Sequence, residues 1–262
     1  MYILFFIISF SASIIGAICG IGGGIIIKPV MDAFGVLDVS VINFLSGCTV
    51  LSMTTYSVCK SLLAKDSSIN MKLGTPLAIG AAVGGLAGKE LFSYVASLFE
   101  TANTAGAVQA FILMLITLGT LLYTIKKNSI ATHKVTNLFA CLIIGIMLGG
   151  LSSFLGIGGG PINLVVLYFF FTMGTKEAAQ NSLYIILFSQ GTSTIRSLFT
   201  TDLTQISVFL LAGMILCGIL GGIFGRKINK KINEAMVDKL FIGLMIVIIF
   251  INIYNIYHFL SI

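Results

Sequence analysis

Ten apolar stretches follow one another along the chain, at about residues 3–19, 24–36, 41–63, 73–96, 104–125, 135–155, 160–173, 178–199, 204–225 and 239–260. Most have the length, about 17 to 25 residues, that an α-helix needs to cross a hydrocarbon core about 30 Å thick. Two are shorter: 24–36 and 160–173 would extend only about 18 to 21 Å as helices, so at least part of each dips into a bilayer without crossing it. Polar residues are confined to brief connections such as KDSSINMK at 65–72 and KKNSIATHK at 126–134. The pattern predicts an all-α polytopic membrane protein with no segment long and polar enough for a soluble domain.

Composition points the same way. The 262 residues are 57% hydrophobic and 9% charged, where a soluble domain carries about a quarter charged residues. Lipid is therefore the solvent and the first partner. The amino-terminal run MYILFFIISFSASIIGAICG has no basic residue ahead of it and is too long for a cleaved leader, so it reads as a retained segment. The five cysteines (Cys19, Cys48, Cys59, Cys141 and Cys217) form no CxxC and have no neighbouring histidine. They read as small buried hydrophobes, with no metal site and no cofactor implied. The net charge of +6 reflects basic residues at segment ends, where they set orientation; no nucleic-acid-binding module is present. His133 and His258 lie near segment ends, so a buried proton relay through them is not expected.

The chain repeats itself. GIGGG occurs at Gly20–Gly24 and again at Gly156–Gly160, 136 positions on. VGGLAGK at 83–89 aligns with LGGIFGR at 220–226, an offset of 137, and NFL at 43–45 with NSL at 181–183, an offset of 138. The halves are residues 1–125 and 135–262, each a transmembrane repeat, joined by the basic linker 126–134. Charge decides their relative orientation. If each GIGGG only kinked one continuous span, basic residues would divide evenly between the two sides, against the positive-inside bias. If the chain reverses at each GIGGG, twelve fall on one side (Lys60, Lys65, Lys72, Lys126, Lys127, Lys134, Lys176, Arg226, Lys227, Lys230, Lys231 and Lys239). Only Lys89 and Arg196 then fall on the other. A reversing hairpin plus about three transmembrane helices gives each half an odd number of net crossings. The second half is then inverted relative to the first, and both termini lie outside.

Non-helical backbone inside a bilayer is tolerated where it lines a cavity. Each GIGGG is followed by an apolar, helix-compatible run, and Pro161 stands where a first helical residue belongs. Each turn would therefore present the unpaired N–H groups and positive dipole end of a helix to a common point, a geometry suited to an anion. The expected contacts are Gly20, Gly22, Gly23 and Gly24 with Gly156, Gly158, Gly159 and Gly160. Of the polar residues inside apolar segments (Asn43, Ser46, Thr49, Gln109, Asn181, Ser182, Ser189 and Gln190), the substrate-binding candidates are Asn43, Asn181, Ser182 and Gln190, with Asn43 and Asn181 favoured as a pair recurring in both halves. Helix–helix hydrogen bonding is the plainer role for any one of them, and helix packing for the VGGLAG and LGGIFG glycines and for Ser152 and Ser153. Lys28 and Asp32 stand four apart on one helical face; they could neutralise each other, or balance an anion and carry a coupling proton. Lys89 and Arg226 read as anchors at opposite interfaces.

The two GIGGG signatures, the two-half organisation and AAQNSLYIILFS after the second copy resemble the sulfite exporter TauE/SafE family of membrane permeases, over nearly the whole chain. The resemblance implies transport of a small sulfur-containing anion, sulfite or an organosulfonate, across a bacterial inner (plasma) membrane, generally as export. Two departures stand out. Asn43-Phe44-Leu45 and Asn181-Ser182-Leu183 occupy places where many members carry Thr-Ser-Leu. Pro29 follows the first glycine motif, but Val165 stands at the matching place of the second.

The expected function is thus secondary transport of a small oxyanion by alternating access. A passive anion channel and a permease for another small organic anion are the alternatives, and self-association into a homo-oligomer is left open. An intramembrane enzyme would need converging nucleophilic or titratable groups, and neither a Ser-His pair nor an HExxH motif exists.

Overall fold

Each apolar stretch becomes a helix, because in a hydrocarbon solvent every backbone polar group needs a partner within the segment. The structure is a computed structural model that describes residues 2–64, 67–99, 101–200 and 206–261. Lys65 of the 60–72 connection, and positions 204–205 at the start of the ninth predicted segment, lie outside the described residues. The described residues form ten α-helices: α1 (Tyr2–Cys19), α2 (Gly24–Phe34), α3 (Val39–Leu62), α4 (Met71–Ser97), α5 (Ala102–Lys126), α6 (Leu138–Phe154), α7 (Pro161–Phe171), α8 (Thr175–Thr200), α9 (Val208–Lys231) and α10 (Glu234–Ser261).

Local chemistry sets several boundaries. The side chains of Asn70, Thr101 and Asn137 accept first-turn N–H bonds and start α4, α5 and α6. Gly35 ends α2 in the left-handed region, its N–H bonded to the Asp32 carbonyl at 3.0 Å. The basic linker lies along the end of α7, where His133 and Val135 donate to the Phe169 and Phe170 carbonyls. Lys127 reaches Asp238 of α10 at 2.6 Å.

Among the described residues, five helices are long and apolar enough to cross a membrane: Tyr2–Cys19, Val39–Leu62, Asn103–Ser129, Val208–Lys231 and Glu234–Ser261. α4 and α8, with 27 and 26 residues, have the length to cross, about 40 Å, but not the hydropathy. α8 explains why: it runs through the interior and buries Asn181, Ser182, Ser189, Gln190, Ser193, Thr194 and Ser197. A helix shielded from lipid by its neighbours is free to carry polar groups.

Packing crosses between the halves. α4 lies against α6 and α8, while α1 and α3 lie against α9. The VGGLAG and LGGIFG glycines make these approaches. A methyl group on Gly84 would lie 2.1 Å from the Ile146 carbonyl oxygen, and one on Gly88 2.1 Å from that of Gly150. The same contacts recur between α9 and α1, where methyls on Gly221 and Gly225 would lie 2.8 and 2.4 Å from the Phe10 and Ile14 carbonyls. Partners and glycines alike are displaced by 136 or 137 positions. Backbones this close gain dispersion and Cα–H···O contacts that a side chain would abolish.

Substitution at Gly84 or Gly221 by valine is expected to separate these helix pairs, seen as aggregated protein or a strongly lowered melting temperature in detergent. Gly119→Ala and Gly243→Ala, where a methyl meets nothing within 4 Å, are expected to be neutral or stabilising by about 0.5–1 kcal/mol.

Candidate functional site

The two GIGGG segments interrupt the helices in the middle of the protein. In the first, the N–H groups of Gly20 and Ile21 close α1 on the Gly16 carbonyl at 2.9 and 3.1 Å. Gly20 and Gly22 then take φ of +76° and +72°, a region that costs an L-residue about 1–2 kcal/mol. α2 begins after Gly23 with no side-chain cap. In the second, Gly156, Gly158 and Gly159 take φ of +68°, +69° and +134°, and α7 begins at Pro161 after Gly160, again without a side-chain cap. The first-turn N–H groups of both helices thus lack the usual side-chain acceptor.

The turns meet. A methyl on Gly24 would sit 2.2 Å from the Ile157 carbonyl oxygen, and one on Gly22 3.9 Å from that of Gly158. Val50 of α3 lies against Gly22, Gly24 and Gly158, and Ile186 of α8 against Gly22 and Gly159. Contacts between the halves are reciprocal: Gly20 packs on Ala179, and Gly156 on Asn43. Gly20 and Gly156 are 136 positions apart, as are Asn43 and Ala179. The counterpart of Asn43 is therefore Ala179, which corrects the alignment of Asn43 with Asn181.

Polar groups around the turns fall into two kinds. Both side-chain atoms of Asn43, and the hydroxyls of Ser46 and Ser182, are buried without a protein partner. Gln190 donates to Thr194 Oγ1 at 3.0 Å and sets its Oε1 against Gly158. Asn181 is committed elsewhere: its Nδ2 donates to the Ser68 and Glu177 carbonyls at 3.0 and 2.9 Å, and its Oδ1 accepts from Asn70 N–H at 3.0 Å. It ties the 67–70 segment to α8. Gln109 donates to the Phe154 carbonyl at 2.5 Å, Thr49 to Leu45 at 2.8 Å and Ser189 to Ile186 at 3.3 Å.

Charge enters from α2 and α4. Lys28 and Asp32 form an ion pair at 2.6 Å with both side chains 3% exposed; the second carboxylate oxygen, Oδ1, has no partner. Lys89 is buried as well, at 5% exposure, with its ammonium 5.7 Å from the Phe92 ring centroid and within Coulombic range of Lys28. No hydrogen bond or ion pair to it occurs among the described residues. The place of Lys89 at the end of a glycine-rich segment suggests an interface anchor, yet it is buried instead. Its matching residue Arg226 does cap a helix end, donating to the Ser57 and Lys60 carbonyls at 3.1 and 3.2 Å. Arg226 also lines a cleft with Ser57, Ser61, Gln180 and Asn229. The cleft reaches Ala179, against which Gly20 packs.

A family model described as sulfite exporter TauE/SafE matches residues 5–251. A curated relative, a probable membrane transporter protein of Methanocaldococcus jannaschii, is 25% identical over 171 residues, 63% of this chain and 60% of that protein. The chain thus spans less than two thirds of the length of the curated relative it matches. No solved structure matches.

Asp32→Ala alone is expected to destabilise the protein by about 3–5 kcal/mol by stranding the buried ammonium, whereas Lys28→Met with Asp32→Leu recovers most of the loss. Denaturant unfolding of the wild-type protein and the two variants in detergent measures this; equal losses in the single and double variants would show that the pair is not coupled.

Proposed function

The chain belongs to the sulfite exporter TauE/SafE family, and from that membership we propose that it is a secondary transporter of a small sulfur-containing oxyanion such as sulfite or an organosulfonate, working outward across a bacterial inner membrane. The observation that carries the reading is the meeting of two uncapped helix N-termini, at Gly23–Gly24 and Gly160–Pro161, in the protein interior. Their N–H groups and dipoles favour negative charge. Glycines at positions 20, 22–24, 156 and 158–160 keep the backbone accessible. The unpartnered groups of Asn43, Ser46 and Ser182, with Gln190, supply further hydrogen bonds to oxyanion oxygens. Asn181 serves the same site by fixing α8, and Lys28 with Asp32 balances charge.

The mechanism proposed is alternating access between two inverted repeats, residues 1–125 and 135–262, about a pseudo-two-fold axis in the membrane plane. The recurrence of the close glycine contacts between the halves at 136 or 137 positions supports it, as does the asymmetry of basic residues. The cleft at Arg226, beside the first turn, is the cytoplasmic approach in this arrangement. Both termini then lie outside. Single cysteines introduced at Asn128 and Asn233 are expected to react with an impermeant maleimide only from the cytoplasmic side, and one at Ser97 only from outside. Labelling of Asn128 and Asn233 from opposite sides would rule the inverted arrangement out.

In proteoliposomes, internal labelled sulfite is expected to exchange faster when unlabelled sulfite or an organosulfonate is placed outside. Gly22→Leu and Gly158→Leu are expected to abolish the exchange while the protein still inserts and elutes as a single species. Flux without trans-stimulation would indicate a passive channel, and no flux above empty liposomes would remove the sulfur-oxyanion assignment.

A further inference from the structure

The Lys28–Asp32 pair is connected to one end of the protein. α2 runs from the glycine turn towards that end, and Gly24, Lys28 and Asp32 are each about 6 Å further along its axis. Beyond Asp32 lies a cavity whose lining includes Asp32, Gly35, Asp38, Asn103 and His258. These residues come from the end of α2, the start of α3, the start of α5 and the end of α10. Two unpartnered buried atoms mark it: Oδ1 of Asp32, in a residue 4% exposed, and Nδ1 of His258. The imidazole is held in place by its surroundings. It stacks on Tyr254 at 5.8 Å between centroids, and Gly35 leaves it room, since a methyl there would lie 3.0 Å from His258 Cε1. α10 is further tied to α2 by Asn255, whose Nδ2 donates to the Pro29 carbonyl at 2.8 Å.

We propose that Asp32 is a proton-binding site reached through the cavity that holds Asp38 and His258, and that protonation of its carboxylate releases the Lys28 ammonium to the transported anion. The anion half rests on the reading of the glycine turns given above; the proton half does not. The charged groups around Asp32 are few. Lys28 on α2 holds one carboxylate oxygen, Asp38 at the start of α3 and His258 on α10 share the cavity, and Lys89 on α4 acts on Lys28. α5 contributes the neutral Asn103, and α1 carries no charged residue.

The coupling follows from the stranded-charge argument. A proton arriving at Asp32 alone would leave Lys28 charged, buried and unpaired, and an anion arriving alone would compete with Asp32 for Lys28. Each is unfavourable separately. Together they leave a neutral carboxyl and an ammonium–anion pair, so proton and anion raise each other's affinity reciprocally. His258 and Asp38 relay the proton between water and the buried oxygen, and nothing else in the step changes bonding.

Two measurements test this on the full chain in lipid. Infrared pH titration, which needs no substrate, is expected to reveal a protonated-carboxyl band that is lost in Asp32→Asn, and equally in Asp32→Asn/Lys28→Met should the single variant not fold. His258→Phe is expected to slow the hydrogen–deuterium shift of that band. Absence of any Asp32-dependent band from about pH 4 to about pH 9 overturns the proposal. In sulfite-loaded proteoliposomes, an imposed pH gradient is expected to change wild-type flux about fivefold or more, with that dependence lost in Asp32→Asn, which keeps Lys28 for the anion. Flux indifferent to the gradient overturns the coupling and leaves the transport reading standing. An Asp32-dependent band in a protein that moves no sulfur oxyanion upholds the proton site and overturns the anion assignment.

Discussion

Four helix ends converge in the interior of this protein, and most of its other features follow from that. A helix end leaves about four backbone groups unpaired, and in a medium without water each costs several kcal/mol unless something supplies a partner. The carbonyl ends of α1 and α6 are closed by their own chain, through bonds to Gly16 and to Ser152 and Ser153. The amino ends of α2 and α7 have no side-chain caps. Closing one kind of end and leaving the other without a side-chain partner gives the centre a net donor character. Only glycine tolerates both the left-handed backbone of the closures and the contact between the turns, where Gly24 rests on a carbonyl of the opposite half.

The same contact forbids treating the halves as separate units. α1 lies with α9 and α6 with α4, so each half lends its first helix to the other. The glycines of α4 and α9 are the means, presenting bare backbone where α6 and α1 press in. A motion that changes access to the centre must carry these close-packed pairs as rigid bodies, because a backbone contact without intervening side chains has little room to slide. The compliant places are then the contacts made by side chains: Val50 and Ile186 over the turns, and the α5–α10 interface, where Gly106 packs on the Phe259 ring.

Much of this was legible in the chain itself. Hydropathy located the helix ends to within six residues, because lipid imposes a length on an apolar run, and the repeated pentapeptide marked the places where α1 and α6 end. What escaped had physical reasons. α8 falls short of spanning hydropathy because its neighbours shield its buried polar residues, and α4 because glycine and alanine fill its packing face. Asn43 was matched to Asn181 by local identity, yet the three-dimensional register follows the helix starts, Val39 and Thr175, and pairs it with Ala179. Lys89 and Arg226 occupy matching places at the ends of similar motifs, but only Arg226 finds carbonyls to bond. His258 sits near a chain end in sequence and against the α2 terminus in space, a proximity that no local pattern records.

Charge balance ties these residues to the proposed anion. With Asp32 ionised, Lys28 is neutralised and Lys89 remains as one buried positive charge with no ion-pair partner among the described residues. With Asp32 protonated, both ammonium groups are uncompensated. The positive charge of the interior thus rises by one when Asp32 takes a proton, and an anion at Lys28 would balance that rise. On the proposed coupling, a dianion accompanied by a proton would move one net negative charge per cycle. Under an inside-negative potential that charge favours outward passage by about 2.3 kcal/mol per 100 mV. The proton, on that proposed coupling, would free Lys28 for the anion, and an inside-negative potential would favour its exit.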